Sequence, residues 1–331
     1  MSGLERTLAR VPADRFWPLP RAARADGTPR RAGIEIEFAG LTEGGAATVV
    51  QDLWGGDVAA RDEHEVRLEG TRMGEVTVKL DTALTAQGGH ALADALLDLS
   101  RVVVPVEVVT GPLPPDALPE VDRLLRALES VGAQSSRDGV FYGFGVHLNP
   151  EIAAPEPGHV VGTARAFALM EDWLRAADPP DFSRRVLPFV APWPRAFTDR
   201  IAAEGGGWSL AALCSAYLSL VASRNHGLDL LPMLEHLFPE TVRGALPAGQ
   251  AKGGRPTWHF RLPETRVTVP GWSLAYEWNR WVLVERVGDR PALVEHLARE
   301  WAVHRRRLTA TRSDWAQTVN RLLQEAEIWD G

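Results

Sequence analysis

Residues 31–40 read Arg-Ala-Gly-Ile-Glu-Ile-Glu-Phe-Ala-Gly, and this strict alternation leaves the chain few options. In an extended segment Ile34, Ile36 and Phe38 share one face, and Glu35 and Glu37 share the other. The two-residue rise of a strand puts those carboxylates roughly 7 Å apart. At that spacing they repel, unless a cation sits between them or water screens them. Taken alone, the pair fits a solvated outer face better than a divalent-metal site lined from inside a sheet. The other strands decide between the two.

Four further segments carry the same signature of one polar face against an apolar one. Glu75–Asp81 sets Val76, Val78 and Leu80 against Lys79 and Asp81. The β-branched run Val102–Val109 holds a single charge, Glu107, and a lone buried carboxylate is costly to explain as structure. In Gly139–Asn149 the small residues Gly143 and Gly145 lead to His147 and Asn149, a backbone that would let a ligand approach. Thr257–Leu262 sets His259 and Arg261 against Trp258 and Phe260. A sheet with one face under helices would leave the other as a polar trough. Carboxylates and a histidine converging there suit Mg²⁺ or Mn²⁺, and Arg261 suits a phosphate.

Helical periodicity predicts elements over 41–54, 88–101, 116–131, 158–176, 209–223, 229–237, 272–286, 290–307 and 313–328. Asp289 and Ser313 are the expected N-caps of the last two, and Pro291 fits a first turn. Glu65–Glu69 is a further strand, joined to the next by a turn over Gly70–Gly74. Residues 1–30, broken by Pro12, Pro18, Pro20 and Pro29, read as an N-terminal arm pinned by Phe16 and Trp17. Residues 31–331 read as one catalytic domain with a helical C-terminal part. The Pro- and Trp-rich stretch 181–208 reads as a long ordered loop with a short helix, of the type that lids a site, with Arg184, Arg185, Arg195 and Arg200 as a substrate clamp or as solvated charges. Gln250–Arg255, with two adjacent glycines, reads as a mobile turn. The architecture expected is α+β.

Composition narrows the function. A net charge of −7 argues against nucleic acid as a partner. Arginine supplies nearly all the positive charge, because Lys79 and Lys252 are the only lysines. Cys214 is alone, which excludes a disulfide framework and a cysteine-based zinc site. No stretch resembles a signal peptide or reaches membrane-spanning length, so a cytoplasmic protein without membrane contact is expected.

Five of these segments, in order, carry a family resemblance. Gly33-Ile-Glu-Ile-Glu-Phe38 resembles the opening strand of the amidoligase family, within the carboxylate–amine ligase superfamily of glutamine synthetase and glutamate–cysteine ligase. Val78-Lys-Leu-Asp81, Val106-Glu-Val-Val-Thr-Gly-Pro-Leu113, Gly145-Val-His-Leu-Asn149 and Trp258-His-Phe-Arg-Leu-Pro-Glu-Thr265 are similar to its later motifs. The resemblance implies a glutamine-synthetase-like curved antiparallel sheet flanked by helices. It implies ATP-dependent joining of a carboxylate to an amine through an acyl phosphate, on a small amino acid, peptide or cell-wall-type substrate. By position Glu35, Glu37, Glu107, His147 and His259 would hold Mg²⁺ or Mn²⁺. Asn149, Lys79 and Arg261 would face the ATP, with Arg261 steadying the transferring phosphoryl group. Arg224 would clamp a substrate carboxylate or cap the preceding helix end, and Asp81 would contact substrate or start a turn. A ligase or amidotransferase of the same pathway is the expected protein partner. The chain departs from the motif at His259, where the family usually has Glu, and at Pro263-Glu264, where a His is common. Imidazole can bind Mn²⁺ but brings no negative charge, so one metal should be held more weakly. The alternatives are a degenerate, non-catalytic binding module on this fold, or a metal-dependent hydrolase. The hydrolase has neither an HxxE-type helix motif nor a paired-Asp cluster behind it.

Overall fold

A computed structural model describes residues 10–62, 64–80, 105–138, 143–186, 190–247 and 250–329. The expected helix over 88–101 and the Asp81 position lie outside them. The opening alternation forms strand β1 (Ala32–Phe38). The other strands are β2 (Asp57–Arg61), β3 (Glu65–Thr71), β4 (Gly74–Leu80), β5 (Val106–Thr110), β6 (Val146–Pro150), β7 (Leu228–Asp229) and β8 (His259–Phe260). They build a single sheet in the order β2-β3-β4-β5-β1-β6-β8-β7. Every pairing in it is antiparallel. β1 therefore lies inside the sheet, with β5 and β6 on its two sides.

Ile34, Ile36, Val76, Val78, Val108, Val146, Leu148 and Phe260 on one sheet face are fully shielded from solvent. Helix α1 (Glu43–Trp54) packs there across β3, β4 and β5, beside α2 (Leu118–Ser130). Thr42 caps α1 through its side chain, and Gly55 at φ 72° ends it. The long helix α3 (Pro157–Ala177) is the hub of the second half. Against it lie α5 (Arg195–Glu204), α9 (Leu274–Gly288), α10 (Pro291–Arg305) and α11 (Arg312–Glu325). Trp281 of α9 meets the rings of Trp258 and Phe260, which joins this layer to the sheet. The remaining helices are the short α4 (Phe182–Val186), α6 (Leu210–Leu220), α7 (Leu231–Leu237) and α8 (Pro239–Ala245).

Two anchors hold the entry to β1. Trp17 is buried against α9, where its N–H donates to Asn279 Oδ1 at 2.7 Å and its carbonyl accepts Trp278 Nε1 at 2.9 Å. Arg30 has no exposed surface. It meets Glu285 through two 2.7 Å hydrogen bonds, and its Nε donates to the Glu151 carbonyl at 2.6 Å.

Several expectations need correction. The stretch 181–208, expected as a long loop with a short helix, is more helical than that in its described residues. They hold α4 and α5, and Phe197 and Ile201 bury α5 in the helical layer. Arg195 pairs with the buried Asp172 and Arg200 with Glu204, so neither acts as a clamp. The caps of α10 and α11 are Arg290 and Thr311 instead of Asp289 and Ser313. Asp289 closes α9, while Thr311 accepts the Asp314 N–H. The strand expected over 257–262 pairs as strand only at His259–Phe260, because isolated bridges at Thr257 and Glu264 replace a continuous ladder. Among the described residues, no helix is long and apolar enough to cross a membrane.

Candidate metal and anion site

Strand parity sets the floor of the site. Glu37 stands opposite Glu107 across β1 and β5, and Glu107 opposite Lys79 across β5 and β4. On the other side Glu35 stands opposite His147 of β6. Leu148 pairs with Phe260, both facing the core, so their neighbours His147, Asn149, His259 and Arg261 turn to the opposite face. Nine residues expected at a site thus line one cleft of about 280 Å³: Glu35, Glu37, Lys79, Glu107, His147, Asn149, Arg224, His259 and Arg261. Pro232, Lys252, Gly253, Arg255 and Thr257 form part of its wall.

The floor is tightly connected. His147 Nδ1 lies 2.8 Å from Glu35 Oε2, and its Nε2 lies 3.5 Å from Glu37 Oε1. Asn149 Nδ2 donates to Glu35 Oε1 at 3.0 Å, and the Gly145 N–H donates to Glu37 Oε2 at 2.6 Å. Lys79 Nζ is 3.1 Å from Glu107 Oε2. Gly145 is small for a reason other than ligand approach. A Cβ there would come within 2.8 Å of His147 Nε2 and 3.2 Å of Arg184 Nη1. The space belongs to the imidazole and to Arg184, whose guanidinium donates to the carbonyls of Phe144, Arg261 and Pro263 beneath the site.

Asp229 was not singled out from the sequence. It is fully buried on the two-residue strand β7, opposite His259. Its Oδ2 lies 3.4 Å from His259 Nδ1 and accepts Arg224 Nε at 3.1 Å. Arg224 thus closes on Asp229 and does not cap α6, which ends at Leu220. Arg261 Nη1 donates to the Arg224 carbonyl.

Protonation follows from these neighbours. Burial drives the His147 pKa down to about 3 despite the Glu35 hydrogen bond, so the ring is neutral. Burial would also lower His259, but Asp229 and Glu35 outweigh it and raise its pKa. For Glu35, burial acts upward. The His147 hydrogen bond and the nearby His259 ring outweigh that and hold the carboxyl well below its usual range. At 3.7 Å from Glu35 Oε2, His259 Nε2 acts through space, and this buried nitrogen has no hydrogen-bond partner.

This donor set suits a divalent cation. Glu35, His147 and His259 bring ligand atoms within 4.8 Å of one another, and so do Glu37, Glu107 and His147. A neutral imidazole carries one N–H. With a carboxylate oxygen facing each ring nitrogen, one nitrogen lone pair points toward an anion. A cation near that nitrogen would turn the repulsion into ligation, and it would also give His259 Nε2 a partner. Carboxylate oxygens with some imidazole match Mg²⁺ or Mn²⁺ better than the softer metals.

A family model described as "Putative amidoligase enzyme" matches residues 28–283. The chain belongs to the amidoligase family. The matched span begins just before β1 and ends within α9, so it contains every residue placed in the cleft. No curated protein and no solved structure matches this amidoligase-family chain.

Proposed function

We propose that this amidoligase-family protein joins a carboxylate to an amine at the expense of ATP, through an acyl phosphate. A small amino acid, peptide or cell-wall-type carboxylate is the substrate in this reading. The observation that carries it is the division of the cleft. Glu35, Glu37 and Glu107 form an anionic floor, and Lys79, Arg224, Lys252, Arg255 and Arg261 supply cations around it. A polyphosphate and divalent ions would neutralise one another between those surfaces. A glutamine-synthetase-like sheet, with its polar face as the reaction chamber, belongs to the same proposal.

A substrate carboxylate oxygen attacks the γ-phosphorus, the bond from that phosphorus to the bridging oxygen breaks, and ADP leaves. The amine lone pair then attacks the acyl carbon, the carbon–oxygen bond to phosphate breaks, and inorganic phosphate and a proton are released. Mg²⁺ or Mn²⁺ held by Glu35, Glu37, Glu107, His147 and His259 would neutralise charge on the phosphates. Arg261 places a guanidinium beside the reacting phosphoryl group, and Asn149 orients Glu35. Lys79 balances Glu107. Behind them Asp229 fixes the His259 ring, and Arg184 holds the backbone that carries Gly145 and Arg261.

Calorimetric titration of the purified protein with Mn²⁺, then with ATP, tests this reading. Saturable binding of both, with ADP formation when a carboxylate and an amine are added, is the expected result. Absence of metal and nucleotide binding at millimolar concentration would refute it. His259 in place of the usual Glu supports a second reading, a non-catalytic binding module on this fold. That reading predicts stability independent of metal and no ATP turnover with any carboxylate–amine pair.

A further inference from the structure

The chain carries 36 Lys and Arg side chains, of which only Lys79 and Lys252 are lysines. Among the described residues, five of these side chains line the cleft, and both lysines are among the five. A guanidinium is a planar fork that meets a carboxylate or a phosphate through paired donors. An ammonium is a compact charge with three rotatable donors, able to follow a phosphate whose oxygens change position.

Lys79 already pairs with Glu107 on the floor. Lys252 also lines the cleft and is exposed, three residues before Arg255, and neither side chain has a hydrogen-bond or ion-pair partner among the described residues. The segment that carries them is built and anchored. Gly253, at φ +93°, donates its N–H to the buried Glu235 Oε2 at 3.1 Å. Gly254 lies flush on α7, so that a Cβ would meet the His236 nitrogen at 2.3 Å. The Arg255 N–H reaches the Pro232 carbonyl at 2.9 Å. These contacts hold the turn expected over 250–255 against α7, where it presents two cations to the cleft. A single carboxylate brings one negative charge to these two cations. A phosphate chain, with several charges spaced along it, engages both and still leaves oxygens for the floor.

Resting on the ligase reading above, we propose that residues 250–256 are a phosphate clamp, in which Lys252 and Arg255 hold the terminal phosphates of the nucleoside triphosphate over the carboxylate floor. The discriminating experiment is calorimetry with Mn²⁺ present, titrating ATP, AMP and inorganic tripolyphosphate into wild type, K252A and R255A. Because Lys252 is exposed and lies outside the floor, K252A should keep the wild-type melting temperature and Mn²⁺ affinity. Its ATP affinity should fall at least tenfold, R255A should fall in the same sense, and AMP binding should be unchanged in both. Unchanged ATP affinity in K252A, or equal weakening of ATP and AMP, overturns the clamp while leaving the ligase reading standing. Tripolyphosphate binding that depends on Lys252, in a protein that ignores ATP, supports the clamp and removes the nucleotide from the ligase reading. A wild type that binds neither ligand removes both.

Discussion

The Arg30–Glu285 pair offers a sharp test of what holds β1 in place. Arg30 is wholly buried two residues before β1, and Glu285 is 2% exposed on α9. E285Q keeps the side-chain shape but removes the charge and one of the two acceptors that meet the guanidinium. Arginine cannot shed its proton, so the variant leaves a cation in the interior with only the carbonyls of Glu151 and Arg21 and an amide oxygen around it. Removing one partner of a buried ion pair typically costs about 3–5 kcal/mol. Against a total stability of about 5–15 kcal/mol, that is a large fraction. It corresponds to a fall in Tm of roughly 6–10 °C, taking about 2 °C per kcal/mol for a chain of this size. Urea unfolding followed by tryptophan fluorescence measures it. The double variant R30M/E285Q, which removes the stranded cation and leaves an amide oxygen to accept Trp281 Nε1, should regain most of the loss. An E285Q variant within about 1 kcal/mol of wild type, or a double variant no better than the single, would refute the argument that an uncompensated charge is the cause.

His159 should make the protein acid-sensitive. Burial holds its pKa down at about 4, and its Nε2 accepts the Ala153 N–H. Between pH 6.5 and 4 the unfolded chain therefore binds a proton that the folded chain refuses, so this contribution is intact above pH 6.5 and is lost as pH falls. The stability advantage of wild type over H159Q should shrink by about 2 kcal/mol from pH 7 to pH 5, and urea melts at the two values would show it. Mn²⁺ at a hundred times its Kd should stabilise the protein by about 2.7 kcal/mol, read as a rise in Tm. H147N and E107Q should each reduce that rise, and an unchanged rise in both would remove these residues from the metal site. G254A should cost about 1–3 kcal/mol in thermal unfolding, because its Cβ meets helix backbone and cannot be accommodated by a side-chain shift. G244A, within α8 and with nothing within 4 Å of its Cβ, should be neutral or slightly stabilising and serves as the control.

What the sequence made legible depended on period and length. The β1 alternation and the His147-Leu148-Asn149 parity placed Glu35, Glu37, His147 and Asn149 on one face, because a strand of five to seven residues fixes every side chain in it. β7 has only two residues, too few to show any period, so Asp229 beneath His259 passed unnoticed. β2, Asp57-Val-Ala-Ala-Arg61, lies at the sheet edge with every residue exposed, and so lacks the apolar face that marks a strand. The arginines of 184–200 looked alike in the sequence, yet their roles differ. Arg184 buttresses the site from below, whereas Arg195 and Arg200 neutralise helix carboxylates. The opposed caps of α10 failed through local competition: Asp289 follows α9 so closely that it serves as that helix's end instead. Lys252 carried one readable signal, its rarity, but nothing in its neighbours said which wall it would join.

That rarity has a practical side. Reagents that target primary amines, from biosensor coupling chemistries to fluorescent esters, find two side-chain attachment points in the whole chain, and both border the same cleft. Immobilisation through either lysine would tether the protein at its own mouth, so a tag, or coupling near neutral pH at the more readily deprotonated α-amino group, is the sounder handle. Conversely, protection of Lys252 from acylation is a direct footprint of whatever fills the cleft.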